Sequence, residues 1–80
     1  MELFPDRRKL IELTRYKMPY GKYKGLHLVD LPEAYLNWFQ RNGFPQGKLG
    51  EHMKAILEVK INGLEGILRK IRQDFPEDNQ

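Results

Sequence analysis

The chain has 80 residues, no cysteine and a formal net charge of +3. That length makes one small domain, residues 1–80, which buries only about 60–65% of its unfolded surface. The absence of cysteine excludes disulfides and thiolate metal sites, and no apolar run approaches the ~20 residues of a membrane span.

The first residues, Met-Glu-Leu-Phe-Pro-Asp-Arg-Arg-Lys, put charge where a signal peptide carries its apolar core, so a cytoplasmic location is expected. Pro5-Asp6 reads as a helix entry, with Asp6 able to cap and its charge suited to a helix N-terminus. Arg7 to Arg15 follows as a short helix. It carries Leu10, Ile11 and Thr14 on one side with Leu13 at the edge, and it needs tertiary packing to persist. Leu10, Ile11 and Phe4 are the expected anchors, with Arg7, Arg8 and Lys9 facing solvent or a partner.

Pro19 disfavours helix in the residue before it, so Tyr16 to Tyr20 is expected to be extended. Gly21 and Gly25 bracket Lys22-Tyr23-Lys24 and suit a tight reversal. Leu26-His27-Leu28-Val29 alternates and reads as a second short strand. The pattern predicts a small β-hairpin, marginal by itself and laid on helices.

Asp30-Leu31-Pro32-Glu33 is a helix start, with Asp30 as N-cap and Glu33 in a capping-box position. The helix is expected to run to about Asn42 and stop at Gly43. Leu31, Tyr35, Trp38 and Phe39 form its apolar face, widened by Leu36, and core packing is the expected role of Tyr35 and Trp38. Trp38 is the largest apolar group available to a small core.

Phe44-Pro45-Gln46-Gly47 reads as a turn. From Leu49 to Ile71 apolar residues recur at helical spacing and pass Asn62-Gly63 without a slip, which predicts one long C-terminal helix. A helix of about 25 residues is nearly 40 Å long and overhangs a core of this size, so a homodimer through that helix is expected. Gly63 and Gly66 would permit close helix approach. The alternative is two shorter helices, broken at Asn62-Gly63, that fold back within one chain. The polar tail, residues 76–80, is expected to fray. The expected fold class is therefore α+β: a short N-terminal helix, a small β-hairpin, a middle helix and the long C-terminal helix.

Charge is unevenly placed. Met1 to Gly25 holds seven Lys/Arg against three acids, whereas Leu26 to Gln80 holds seven against eight. The surplus surrounds Tyr20, Gly21, Lys22, Tyr23, Lys24 and Gly25, with Arg7, Arg8 and Lys9 nearby in sequence. Lysines neutralise phosphates, tyrosine rings stack on exposed bases, and glycines let backbone approach an anion. Those nine residues are the candidate contact for single-stranded or double-stranded nucleic acid. The competing reading is a solvated basic face on a turn that needs Gly for its shape and Tyr for its packing.

Two segments carry a family resemblance: Met18-Pro19-Tyr20-Gly21-Lys22-Tyr23-Lys24-Gly25, and Leu31-Pro32-Glu33-Ala34-Tyr35-Leu36-Asn37-Trp38-Phe39. Together they resemble the bacterial family of small proteins labelled putative quorum-sensing-regulated virulence factors, over a signature region of residues 14–57. Tyr20 departs mildly from the commoner Phe. A similar segment occurs appended to proofreading-type exonucleases, which implies by analogy a module that works near nucleic acid.

Nothing in the chain forms a catalytic constellation. It has no phosphate-binding Gly-x-x-x-x-Gly-Lys-Ser/Thr loop and no nucleophile beside a base. A two-metal nuclease needs converging carboxylates, and these acids are scattered over expected helix surfaces. His27 and His52 are isolated, with no ligand partners at metal spacing, so neither a metal nor a cofactor is expected. The expected function is a non-catalytic nucleic-acid-binding module. The alternative is a protein-interaction or homodimerisation module with no nucleic-acid role.

Overall fold

Four α-helices and one 3-10 turn make up the regular structure of residues 7–75, the part of the chain described by the computed structural model. They are α1 (Arg7–Arg15), the 3-10 turn (Leu28–Asp30), α2 (Glu33–Asn42), α3 (Lys48–Ile61) and α4 (Glu65–Asp74). The expected Asp6 cap, the Phe4 anchor and the polar tail fall outside the described residues. The fold is all-helical, and no strand occurs among the described residues, which corrects the α+β expectation.

The expected β-hairpin is absent. Where it was predicted, Lys17 and His27 form a single isolated antiparallel bridge. The backbone closes around it through Met18 N–H to Leu26 O (2.8 Å), Gly25 N–H to Met18 O (2.8 Å) and Leu28 N–H to Tyr16 O (2.9 Å). Pairing cannot extend because the chain coils immediately afterwards: Asp30 N–H donates to His27 O and Leu31 N–H to Leu28 O. A strand would send Leu28 and Val29 to opposite faces. The 3-10 turn instead buries both completely, and Leu26, nominally on the face of Leu28, stays exposed. Alternating apolar residues here encode a tight turn that plugs the core.

That turn is the hub of the packing, touching α1, α3 and α4. Around it gather Leu13 of α1, Met18, Leu31, Leu36 of α2, Met53, Ile56, Leu57 and Val59 of α3, and Leu68 of α4. On α1 the inward residues are Leu13 and Thr14, while Leu10 is only partly covered and Ile11 sits at the side. Buried Thr14 satisfies its hydroxyl locally by donating to Ile11 O at 2.7 Å. The connection between α2 and α3 lies directly on α3, where a side chain at Gly50 would run into the Pro45 carbonyl.

The single long C-terminal helix is also corrected. The chain breaks at Asn62-Gly63, where Gly63 takes φ +69°. Leu64 N–H donates to Val59 O and Gly63 N–H to Lys60 O, the paired bonds of a Schellman stop. Apolar phase continues through the break because α4 folds back over the same core, with Leu64, Leu68 and Ile71 turned inward. The radius of gyration is 12.2 Å, and the 14 residues of α3 span about 21 Å. The overhanging rod from which a homodimer was inferred does not form.

Asp30 does not cap α2. That helix begins after Pro32 with no side-chain cap, and the Asp30 carboxylate faces α4 instead. Arg69 Nε donates to its Oδ1 at 2.9 Å, Arg72 Nη1 lies 3.5 Å from its Oδ2, and Arg69 Nη2 reaches Val29 O at 3.3 Å. Arg15 similarly ties α1 to the end of α4, with Nε and Nη2 donating to Phe75 O at 3.2 and 2.9 Å.

Candidate nucleic-acid interface

The loop leaving the Lys17–His27 bridge is shaped by two glycines, Gly21 at φ +85° and Gly25 at φ +89°, which L-residues rarely adopt. Two successive turns follow, with Lys24 N–H donating to Gly21 O at 3.1 Å and Leu26 N–H to Tyr23 O at 3.0 Å. This leaves Tyr20, Lys22 and Lys24 exposed and Tyr23 half-buried. Lys22 and Lys24 have no carboxylate partner among the described residues. Lys48, Lys70, Arg69 and Arg72 are each paired with one.

Tyr23 anchors the loop to α2. Its ring meets Tyr35 edge to face at 4.7 Å, Tyr35 meets Phe39 at 5.2 Å, and Phe39 in turn touches Trp38 at 5.1 Å. Phe44 continues the series, nearly parallel to Phe39 at 6.4 Å. A lysine lies at each end of this ribbon of rings, Lys22 Nζ at 5.5 Å from the Tyr23 centroid and Lys54 Nζ at 5.9 Å from Phe44. Burial, with the neighbouring phenols of Tyr20 and Tyr23, pushes the Tyr35 hydroxyl above its ordinary range. Like any tyrosine it is a protonated donor at neutral pH.

Lys22, Tyr23, Pro32, Tyr35, Trp38 and Phe39 line one open cleft of about 560 Å³. Trp38 is 52% exposed at its wall, which corrects the expectation that it fills the core. The cause is helical geometry. Leu36 occupies the buried position of α2, and Trp38 lies two residues, about 200°, further round the helix. Tyr35 and Phe39, at −100° and −60° from Leu36 by the same reckoning, are partly covered and form the floor.

The predicted contact residues separate into two groups. Tyr20 to Gly25 lie in one loop, of which Lys22 and Tyr23 line the cleft. Arg7, Arg8 and Lys9 are exposed on the first turn of α1, whereas the loop begins beyond its far end, about 13 Å along the helix axis. None of the three lines the cleft, and the Arg7 guanidinium sits 5.6 Å from the Phe75 ring. Tyr35, Trp38 and Phe39 had been assigned to packing. The signal for Trp38 lay in the position of Leu36, the buried residue of α2, since two places along a helix is about 200° round it.

A second polar cluster joins α1 to α3. Lys48 Nζ donates to Glu12 Oε2 at 3.0 Å, His52 Nε2 lies 3.7 Å from the same oxygen, and the His52 ring meets Tyr16 edge to face at 4.6 Å. Among the described residues no three His, Cys, Asp or Glu side chains gather in a group able to hold a metal ion. No helix there is long and apolar enough to cross a membrane.

The family model described as Putative quorum-sensing-regulated virulence factor matches residues 6–71. The chain is 46% identical over 69 residues to the uncharacterized protein YpeB of Escherichia coli K12, an alignment covering 85% of this chain and 96% of that one. YpeB of Escherichia coli O157:H7 matches to the same extent. No solved structure matches the chain.

Proposed function

The chain belongs to the family described as Putative quorum-sensing-regulated virulence factor, a label that leaves the chemistry open, and we propose that it is a small non-catalytic nucleic-acid-binding module. The contact is the Lys22–Lys24 loop together with the aromatic cleft beside it. One observation carries this reading: Lys22 and half-exposed Trp38 line the same cleft, next to lysines that no carboxylate among the described residues neutralises. A phosphate chain would meet the ammonium groups while a base reaches the rings. The basic surplus of the first 25 residues adds long-range attraction.

A gel-shift titration across a salt series tests it. Binding weakens steeply as salt rises, because phosphate contacts release counterions and apolar contacts do not. Replacing both Lys22 and Lys24 by Glu abolishes that salt-sensitive binding. Unmodified protein that binds no DNA or RNA at low salt would end this reading.

A second reading, a protein-interaction or homodimerisation module, draws on Ile61 and Ile67, which are 58% and 57% exposed near the α3–α4 corner. Binding insensitive to salt and lost on changing those two isoleucines would favour it.

A further inference from the structure

We infer that the cleft beside Lys22 takes a single unpaired nucleobase, so that this module selects single-stranded over duplex nucleic acid. The inference rests on the nucleic-acid reading above and narrows its ligand. The site is concave and ring-lined, and at about 560 Å³ it falls within the roughly 300–1,000 Å³ that small ring-bearing ligands occupy. Its walls offer ring faces and edges: Tyr35 and Phe39 below, Trp38 at the side and Tyr23 toward the loop.

In a duplex both faces of every base are already stacked, and only edges show in the grooves. A ring-lined hollow therefore cannot engage a duplex base unless that base leaves the stack. Stacking on an aromatic side chain strengthens binding about 5- to 150-fold per base, and extruding a paired base costs a comparable factor. A duplex thus gains little from the cleft and keeps only its phosphate contacts. A single strand gains both. Lys22, on the cleft wall, and Lys24, two residues along the loop, suit phosphates flanking the inserted base, since both are exposed.

Trp38 is the only tryptophan in the chain, so its emission reports directly on the cleft. The test titrates the protein at low salt with a short oligothymidylate and with a loop-free duplex of matched length. Trp38 emission is followed alongside the anisotropy of end-labelled versions of the same oligonucleotides. The expected result is quenching by the single strand, which binds at least about fivefold tighter than the duplex. Trp38→Ala should lower single-strand affinity about 5- to 150-fold without changing duplex affinity, and Trp38→Phe should restore most of it.

Equal affinity for both forms, with Trp38 emission unchanged, overturns the inference while leaving a lysine-dependent nucleic-acid module intact. Failure of both to bind overturns the broader reading and this one together. Circular dichroism of the two Trp38 variants separates lost stacking from lost folding, and the half-exposed position of Trp38 favours retained structure.

Discussion

Tyr23 in the loop and Tyr35 on α2 hold their ring centroids 4.7 Å apart at 72°. This edge-to-face pair joins a segment without regular structure to a helix whose own buried anchor is Leu36. Removing it should free the loop without unfolding the helices. Tyr23→Ala is expected to cost about 2 kcal/mol through lost ring burial and the lost aromatic pair, and Tyr23→Phe less than about 1 kcal/mol. Urea unfolding checks the magnitude. Faster hydrogen exchange at Lys24 and Leu26, whose amides close the two turns, checks the location.

Gly63 and Gly66 lie three residues apart and should respond to alanine in opposite directions. Gly63 sits at φ +69° in the stop between α3 and α4, where a Cβ costs about 1–2 kcal/mol. Gly66 lies in α4 with open space around its would-be Cβ, so Gly66→Ala should stabilise by about 0.5 kcal/mol. Thermal unfolding of the two variants decides this. A continuous helix through residue 63 would instead make both substitutions stabilising.

Asp30 serves as a clasp between the 3-10 turn and α4, through Arg69 and Arg72. Serine caps helices about as well as aspartate, so Asp30→Ser isolates the ion pairs from any capping role. It should cost about 1–2 kcal/mol, partly because Arg72 Nη1 is buried without a hydrogen-bond partner and loses the carboxylate 3.5 Å away. In a background already carrying Arg69→Met and Arg72→Met, the same change should cost little. A double-mutant cycle measures the coupling.

The Glu12–Lys48 link sets an acid limb and an alkaline limb of stability. The hydrogen bond from Lys48 holds the Glu12 carboxyl below its ordinary value of about 4.5. A depressed folded-state value favours the fold above that ordinary pH, and the contribution is lost as pH falls through the lowered value. The same hydrogen bond raises the Lys48 ammonium above about 10.5, so its contribution is present below that pH and is lost as pH rises through the raised value. Glu12→Gln should therefore flatten part of the decline in urea midpoint between about pH 5 and 3 while leaving the overall fold intact. Parallel slopes for the two proteins would show the link adds nothing.

Helices α1 and α2 were legible because each carries an apolar face at steps of three and four, and each stops at a residue with a physical reason to stop it. Gly43 ends α2 at φ +106° as its position suggested. Two other segments misled for the same reason: a hydrophobic pattern records burial, not backbone. Leu26 to Val29 alternates like a strand, yet consecutive Leu28 and Val29 are both buried in a 3-10 turn at the centre of the core. Leu49 to Ile71 keeps helical phase across Asn62-Gly63 because both halves face one core, and only the glycine marks the fold-back. The loop residues Tyr20 to Gly25 were proposed from their chemistry. The cleft was not, because Trp38 was counted as core by its size although Leu36 already held that position.

Nucleic acid that meets both the loop and the cleft perturbs residues of both. An amide and indole NMR titration of 15N-labelled protein with a short single-stranded oligonucleotide at low salt tests that contact most directly. The expected result is progressive shifts at Gly21 to Gly25, at Tyr35 and at the Trp38 indole, with Ile61 and Ile67 unmoved and all shifts reversed by added salt. Shifts confined to the α3–α4 corner, or none at all under those conditions, would contradict it.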